Sequence, residues 1–345
     1  MGVRKPRAVA WTLSVLAFLT SVTCATAQVT PQKISNDRVD IWFPEGVAVP
    51  PEVQTVLLES ITDSIQFVER FFGRSFAGPI QYVFVGGGEF WPLAVACPPR
   101  KIVDEREPPV TVEEARRYYV PYNPHEFVPL LSHEVRGDQL ITSMNEGFAL
   151  LVAYLYDGRP VHETAAALLG MGKLPPLRTL LTMSRSSSDF SFIVLYSGNA
   201  SFLGFVYERF GRDVLMRLYE NVPTYRESNI SVRLFSLIEE CTSIPLDDLE
   251  TEWHRVLRFT KVDERAIVTL QLWEEFGHIE VFRLRQLSRH LGVHVDPAFE
   301  EELRNLGTDI DRYRRGEPLS CEELSLRTQR LREWAEEIRR QILRG

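Results

Sequence analysis

Between Pro129 and about Thr260 the chain offers little besides helix. Apolar residues recur there at intervals of three and four, and the pattern breaks only at "DGRP", "LPP" and the serine-rich "SRSSSDF". A run of that length is incompatible with sheet, so the centre of the molecule must be packed helices and any strands must come before it. Upstream, "DRVDIWFP" (residues 37–44) alternates apolar and polar residues as a half-buried strand does, and "PIQYVFVGG" reads as a second. Between them Val53, Val56, Leu57, Ile61, Ile65, Val68 and Phe71 form one helical stripe, which Gly73 closes. Residues 98–124 hold several prolines and mixed charges and read as a long loop or an irregular edge. The expected fold class is α+β: a small N-terminal sheet with helices, then a mainly helical lobe.

Later in the lobe, "YSGNASFLGFVYERFGRDVLMRLYENV" is a strong amphipathic helix that stops at Phe210-Gly211 and is followed by another. Beyond Lys261 the composition shifts to charged helix formers. "SCEELSLRTQRLREWAEEIRRQIL" opens with a capping box, Ser320 with Glu323, and sets Leu324, Leu331, Trp334, Ile338 and Ile342 on one side. This is the pattern of a helical appendage that packs on the main domain or on a partner, with self-association through residues 320–343 as one use of the stripe.

The first 27 residues have the form of a secretory signal: Arg4, Lys5 and Arg7, an apolar run from Ala8 to about Val22, then Ala25-Thr26-Ala27 before Gln28. The expected organisation is a signal peptide over 1–27, a main domain over 28–260 and a helical region over 261–345, in a secreted or periplasmic protein. The formal net charge is −8 with the signal included, and the signal carries basic residues only. A mature chain more acidic than that has no concentrated basic face, which argues against a nucleic-acid partner. An oxidising compartment permits one disulfide among Cys97, Cys241 and Cys321, and the spacing does not choose the pair.

The chemistry-bearing stretch is "LLSHEVRGDQLITSMNEGFALLVAYL", residues 130–155. In a His-Glu-x-x-His site two histidines at i and i+4 share one helix face and one zinc, the glutamate faces the metal-bound water, and a third ligand comes from elsewhere. His133 and Glu134 fill the first two positions, but position i+4 is Gly137. The His-Glu dipeptide occurs three times, at His125, His133 and His162, so the pair alone carries little weight. Context favours the copy at 133, which follows an apolar turn and precedes a helix presenting Glu146.

The order strand, helix ending "FFGRSFAGPIQYVFV", His-Glu helix, then Asn145-Glu146-Gly147-Phe148-Ala149 resembles the gluzincin-type zinc metallopeptidases called peptidase MA-like domains. The later segments "YSGNASFLGFVYERFG" and "TSIPLDDLETEWHRVL" are similar to that family's closing helices, so the resemblance covers roughly residues 37–258. It implies a gluzincin-like lobe in which His133 and Glu146 bind zinc and Glu134 activates water; Tyr196 stands where such folds can supply an oxyanion-stabilising hydroxyl, and reads equally as a core aromatic. The second histidine has no counterpart.

Three substitutes for it come into view. Asp138, one step past i+4, lies about 140° around the helix from His133. His125 is separated from the motif helix by Pro129, with Pro124 beside it, and His162 follows the second helix. Two readings of Glu146 stand as well: a metal ligand, or part of a capping box Ser143-Met144-Asn145-Glu146 behind a helix that ends at Gly137. Zinc in small peptides is worth roughly 10 to 16 kcal/mol over four ligands, so each ligand is worth about 3 to 4 kcal/mol, or two to three decades of affinity. Two protein ligands would hold zinc weakly. Arg136-Gly137-Asp138 falls at a helix end, not at a loop tip, and Asn199 and Asn229 formally match a glycosylation pattern.

The expected function is a secreted metallopeptidase homologue, catalytically impaired, whose cleft binds a peptide or protein partner. The alternatives are an active zinc metallopeptidase with an atypical third ligand and Glu134 as general base, and a helical interaction protein acting through residues 262–345.

Overall fold

The computed structural model describes residues 32–84, 94–97, 102–105, 109, 111–115, 123–183, 189–277, 297–314 and 316–344. The signal segment lies outside them, as does the serine-rich break at 184–188. The fold is α+β, as the periodicities predict.

Strand β1 (Lys33–Ser35) pairs antiparallel with β2 (Val39–Trp42). The turn between them is held by Asn36, whose side-chain oxygen accepts from the N–H groups of Arg38 and Val39. Helix α1 (Pro51–Phe72) then crosses over to β3 (Ile80–Phe84), which lies parallel to β2. Its buried side chains, Val53, Leu57, Ile61, Ile65, Val68 and Phe72, fall every three or four residues, and Gly73 ends it at φ 65°.

The sheet is completed by β4 (Ala94–Cys97), antiparallel to β5 (Ile102–Glu105), which is itself parallel to β3, giving the order β1-β2-β3-β5-β4. The expectation of a long loop over 98–124 is therefore corrected. It contains β5, a helical turn α2 (Val112–Glu114) and the start of the next helix. Four residues are too few to show an alternation, and it is the backbone pairing with β3 and β4 that makes 102–105 a strand.

The helical lobe follows as α3 (Asn123–Arg136), α4 (Thr142–Asp157), α5 (Glu163–Gly170), α6 (Leu177–Thr182), α7 (Asp189–Phe210), α8 (Arg212–Asn221), α9 (Ile230–Thr242) and α10 (Leu246–Phe259). At its centre α4 packs on α7, closely enough that a Cβ on Gly147 would lie 2.7 Å from Cβ of Asn199. Phe148, Phe202 and Trp253 fill the space around this contact and are fully buried.

Helices α11 (Glu264–Gly277), α12 (Pro297–Arg314) and α13 (Cys321–Arg344) form the C-terminal unit. Leu272, Phe299, Leu306, Ile310, Leu324, Leu331 and Ile338 make a second core, distinct from the main one. Helix α11 serves both, since Leu270 belongs to the main core and Leu272 to the second. Ser320 caps α13 by accepting from the N–H of Glu323, as the sequence predicts. The stripe that could have met a partner is spent inside the unit: Leu324, Leu331 and Ile338 are buried, and the side chain of Ile342 lies outside the described residues. Among the described residues no helix is long and apolar enough to cross a membrane.

Candidate functional site

Helix α3 runs unbroken through Pro129, which corrects the expectation that His125 is cut off from the motif helix. Pro124 stands at the second helical position, where no N–H is needed. Pro129 leaves the His125 carbonyl without its usual donor, a loss of about 3 kcal/mol in an isolated helix. Here Phe127, Val128, Leu130 and Leu131 are all buried on either side of it and offset that loss.

Gly137 ends α3 as the sequence suggests: its φ is 70° and its N–H returns to the His133 carbonyl at 2.7 Å. The next helix does not start as a capping box. Ile141 is the residue before α4, no side chain caps that end, and Ser143 donates instead to the Leu181 carbonyl. Glu146 thus sits a full turn inside α4 and turns outward from it to another helix.

That helix is α3, but the residue met is not His133. Nε2 of His125 lies 3.1 Å from Oε2 of Glu146. The side chains are 13 % and 3 % exposed respectively. The imidazole stacks on the ring of Tyr196 from α7, with the planes 4° apart and the centroids 5.6 Å apart, and Phe192 packs edge-on to Tyr196. The Glu126 carboxylate lies 4.0 Å from the same Nε2. Three helices therefore contribute to one cluster: His125 and Glu126 from α3, Glu146 from α4 and Tyr196 from α7.

The other candidate residues go elsewhere. Nδ1 of His133 is buried and has no hydrogen-bond partner among the described residues, and His133 makes no contact with Glu146 there. It lies about 12 Å along α3 from His125, since eight residues separate them. Glu134 falls on the opposite face of α3 from His125 and accepts the Ala77 N–H at 2.7 Å, tying the helix to the loop after α1. Asp138 pairs with Arg226 and accepts from the N–H of Gln139. His162 contacts Ser201 and Glu208, and Trp253 donates to the same Ser201 hydroxyl.

The remaining motifs settle quietly. Arg136 donates to the Tyr219 carbonyl, so Arg136-Gly137-Asp138 is engaged with the protein itself. Asn199 is wholly buried and donates to the carbonyls of Leu180 and Leu195, which removes it as a glycosylation acceptor. Cys241 and Cys321 are free thiols, and burial raises the pKa of Cys241.

The structure brings Glu146 and Tyr196 beside His125, which the sequence offers only as a substitute for the missing second histidine. The link 137–141 is pinned to the segment after α8 by a bridge between Leu140 and Thr224 and by the Thr142 N–H donating to the Tyr225 hydroxyl. The helix that follows this pinned link presents Glu146 to the far histidine, His125.

A catalytic zinc takes three protein ligands and a water. Here the position one turn beyond His125 is Pro129, which has no donor atom, and no group of three or more His, Cys, Asp or Glu side chains among the described residues surrounds a common point. The nitrogen of His125 that would face a metal is directed onto Glu146. Among the described residues, the donors gathered here are fewer than a catalytic zinc takes. What they can do is offer a half-buried aromatic wall beside a carboxylate–imidazole pair, a surface suited to holding a polar or peptide group in a fixed orientation.

No protein-family model matches the chain, and no curated protein is significantly similar to it.

Proposed function

We propose that the protein is an exported member of the gluzincin-type, peptidase MA-like class that has lost its zinc chemistry and uses the former cleft to bind a peptide or protein partner. The contact between His125 and Glu146 carries this reading. Two side chains of the types that hold zinc in that class come together from α3 and α4, yet they bond to each other at 3.1 Å. Each His-Glu pair also lacks a histidine four residues after its own: Pro129, Gly137 and Ala166 stand there. A hydrolase needs a water held between metal and base, and among the described residues the donors gathered around one point are too few for that water's metal. The signal-like residues 1–27 support export, and the acidic balance supports a partner other than nucleic acid.

The test is metal analysis of the mature protein after zinc-replete purification, beside a screen of immobilised peptides. Far less than one zinc per chain together with saturable peptide binding, lost on Tyr196→Ala, is expected. Tightly held stoichiometric zinc, with proteolysis that disappears on Glu134→Gln or Glu126→Gln, would overturn the proposal.

A further inference from the structure

The C-terminal unit carries a groove of about 420 Å³, lined by Glu302 of α12 and by Glu323, Leu326, Arg327, Arg330 and Trp334 of α13. This is not the face that closes the second core. At 100° per residue Glu323, Arg327, Arg330 and Trp334 fall within about 60° of one another, a quarter-turn or so around α13 from the buried Leu324, Leu331 and Ile338. Leu326 stands 48 % exposed at the edge of the groove. Trp334 is only partly buried, with Phe299 edge-on to its ring.

The charges along the groove divide into two kinds. Arg327 is committed within the unit, to Glu302 at 2.6 Å and Asp309 at 2.7 Å. The carboxylate of Glu323 and the guanidinium of Arg330 have no partner among the described residues. These two stand seven residues apart, two turns of helix, with Leu326 between them. An anion and a cation on either side of one exposed apolar position make the face complementary to itself. If a second α13 is laid antiparallel about a two-fold axis between positions 326 and 327, Glu323 of each copy stands opposite Arg330 of the other. Leu326 then meets the apolar stem of Arg327 at the centre, and over residues 320–333 no charged residue faces a like charge.

We propose that this face joins two copies of the chain, antiparallel along α13, with two reciprocal Glu323–Arg330 pairs around the Leu326 contact. Contact along one helix face is smaller than the interface of a permanent dimer, so the association is reversible and depends on concentration. It uses no residue of the cleft and is independent of the reading of His125, Glu146 and Tyr196.

Sedimentation equilibrium of the full mature chain at low salt tests this. With rising concentration the wild type is expected to pass from monomer to dimer. Glu323→Arg and Arg330→Glu each turn two attractions into two repulsions, so either alone should weaken the dimer by roughly tenfold to a hundredfold. Mixed in equal amounts, the two variants should associate again, because every pair across a mixed dimer is then opposite in charge. Both reversals in one chain should likewise dimerise as the wild type does. Where a reversal does not fold, Glu323→Gln or Arg330→Gln takes its place, with an expected loss of roughly fivefold. A wild type that stays monomeric overturns the proposal, including the case in which this face instead takes a foreign peptide whose binding is lost on Leu326→Asp. A dimer indifferent to the variants has its interface elsewhere and overturns it as well. Loss in both reversals without recovery on mixing would refute the two-fold pairing.

Discussion

The imidazole of His125 and the carboxylate of Glu146, from helices joined by a five-residue link, meet at 3.1 Å in a setting where the carboxylate is almost wholly excluded from water. Buried polar groups hold their place through their partners, and removing one partner leaves the other to bear its desolvation alone. Glu146→Ala should therefore lower stability by about 1–3 kcal/mol, read as a shift of the urea midpoint at constant slope. His125→Ala added to it should cost much less than it does alone, because the two share one interaction. Full additivity in that cycle would mean the pair does not form.

Restoring a ligand tests which histidine belongs to Glu146. Position 129 lies one turn from His125 on the same side of α3, so Pro129→His should create a three-donor site and tighten zinc binding by about two to three decades. Gly137→His should leave affinity unchanged, because that residue has left the helix at φ 70°. Competition against a chromophoric chelator measures both. A gain in Gly137→His and none in Pro129→His would reverse the assignment.

Burial pushes the Tyr219 hydroxyl up to about 12, against its bond to Ser132 and the nearby Arg136, which pull it down. The folded chain then keeps a proton that the unfolded chain releases near pH 10. Stability tied to this group is full below pH 10 and is lost as pH rises toward 12, by about 3 kcal/mol in all. Tyr219→Phe should flatten that decline in denaturant unfolding between pH 10 and 12, the interval where the wild type should weaken most visibly. An equally steep decline in the variant would exclude Tyr219 as its source.

The contact of α4 with α7 admits no larger residue at Gly147, where a Cβ would also come within 3.2 Å of the Asn199 backbone. Gly147→Ala should cost about 1–3 kcal/mol as an overpacked site. The expected sign is opposite to that of the same change on an exposed helix face, where alanine is favoured by roughly 0.5–1 kcal/mol. Thermal unfolding with a reduced midpoint supports the packing, and a raised midpoint contradicts it.

Much of the fold is legible in the sequence because it rests on repeating patterns. The stripe of α1 and its stop at Gly73, the break at Gly211 and the cap at Ser320 all follow from side-chain spacing and local backbone chemistry. The site is legible only in part. Glu146 and Tyr196 stand out by type and context, but the partner of Glu146 depends on how α4 leaves α3. The link between those helices is held by Thr224 and Tyr225, about eighty residues further along the chain, which no local pattern reveals. Pro129 added to the difficulty: it argues locally against a helix that tertiary burial nevertheless completes.

Helix α11 gives Leu270 to one core and Leu272 to the other. For a chain that emerges amino end first, the main body has no final wall until residue 277 is out. The same helix then becomes the template on which α12 and α13 close. A chain that stopped short of α11 would present an open apolar seam to whatever quality control it met, and one that stopped just after it would present the unpaired face of Leu272.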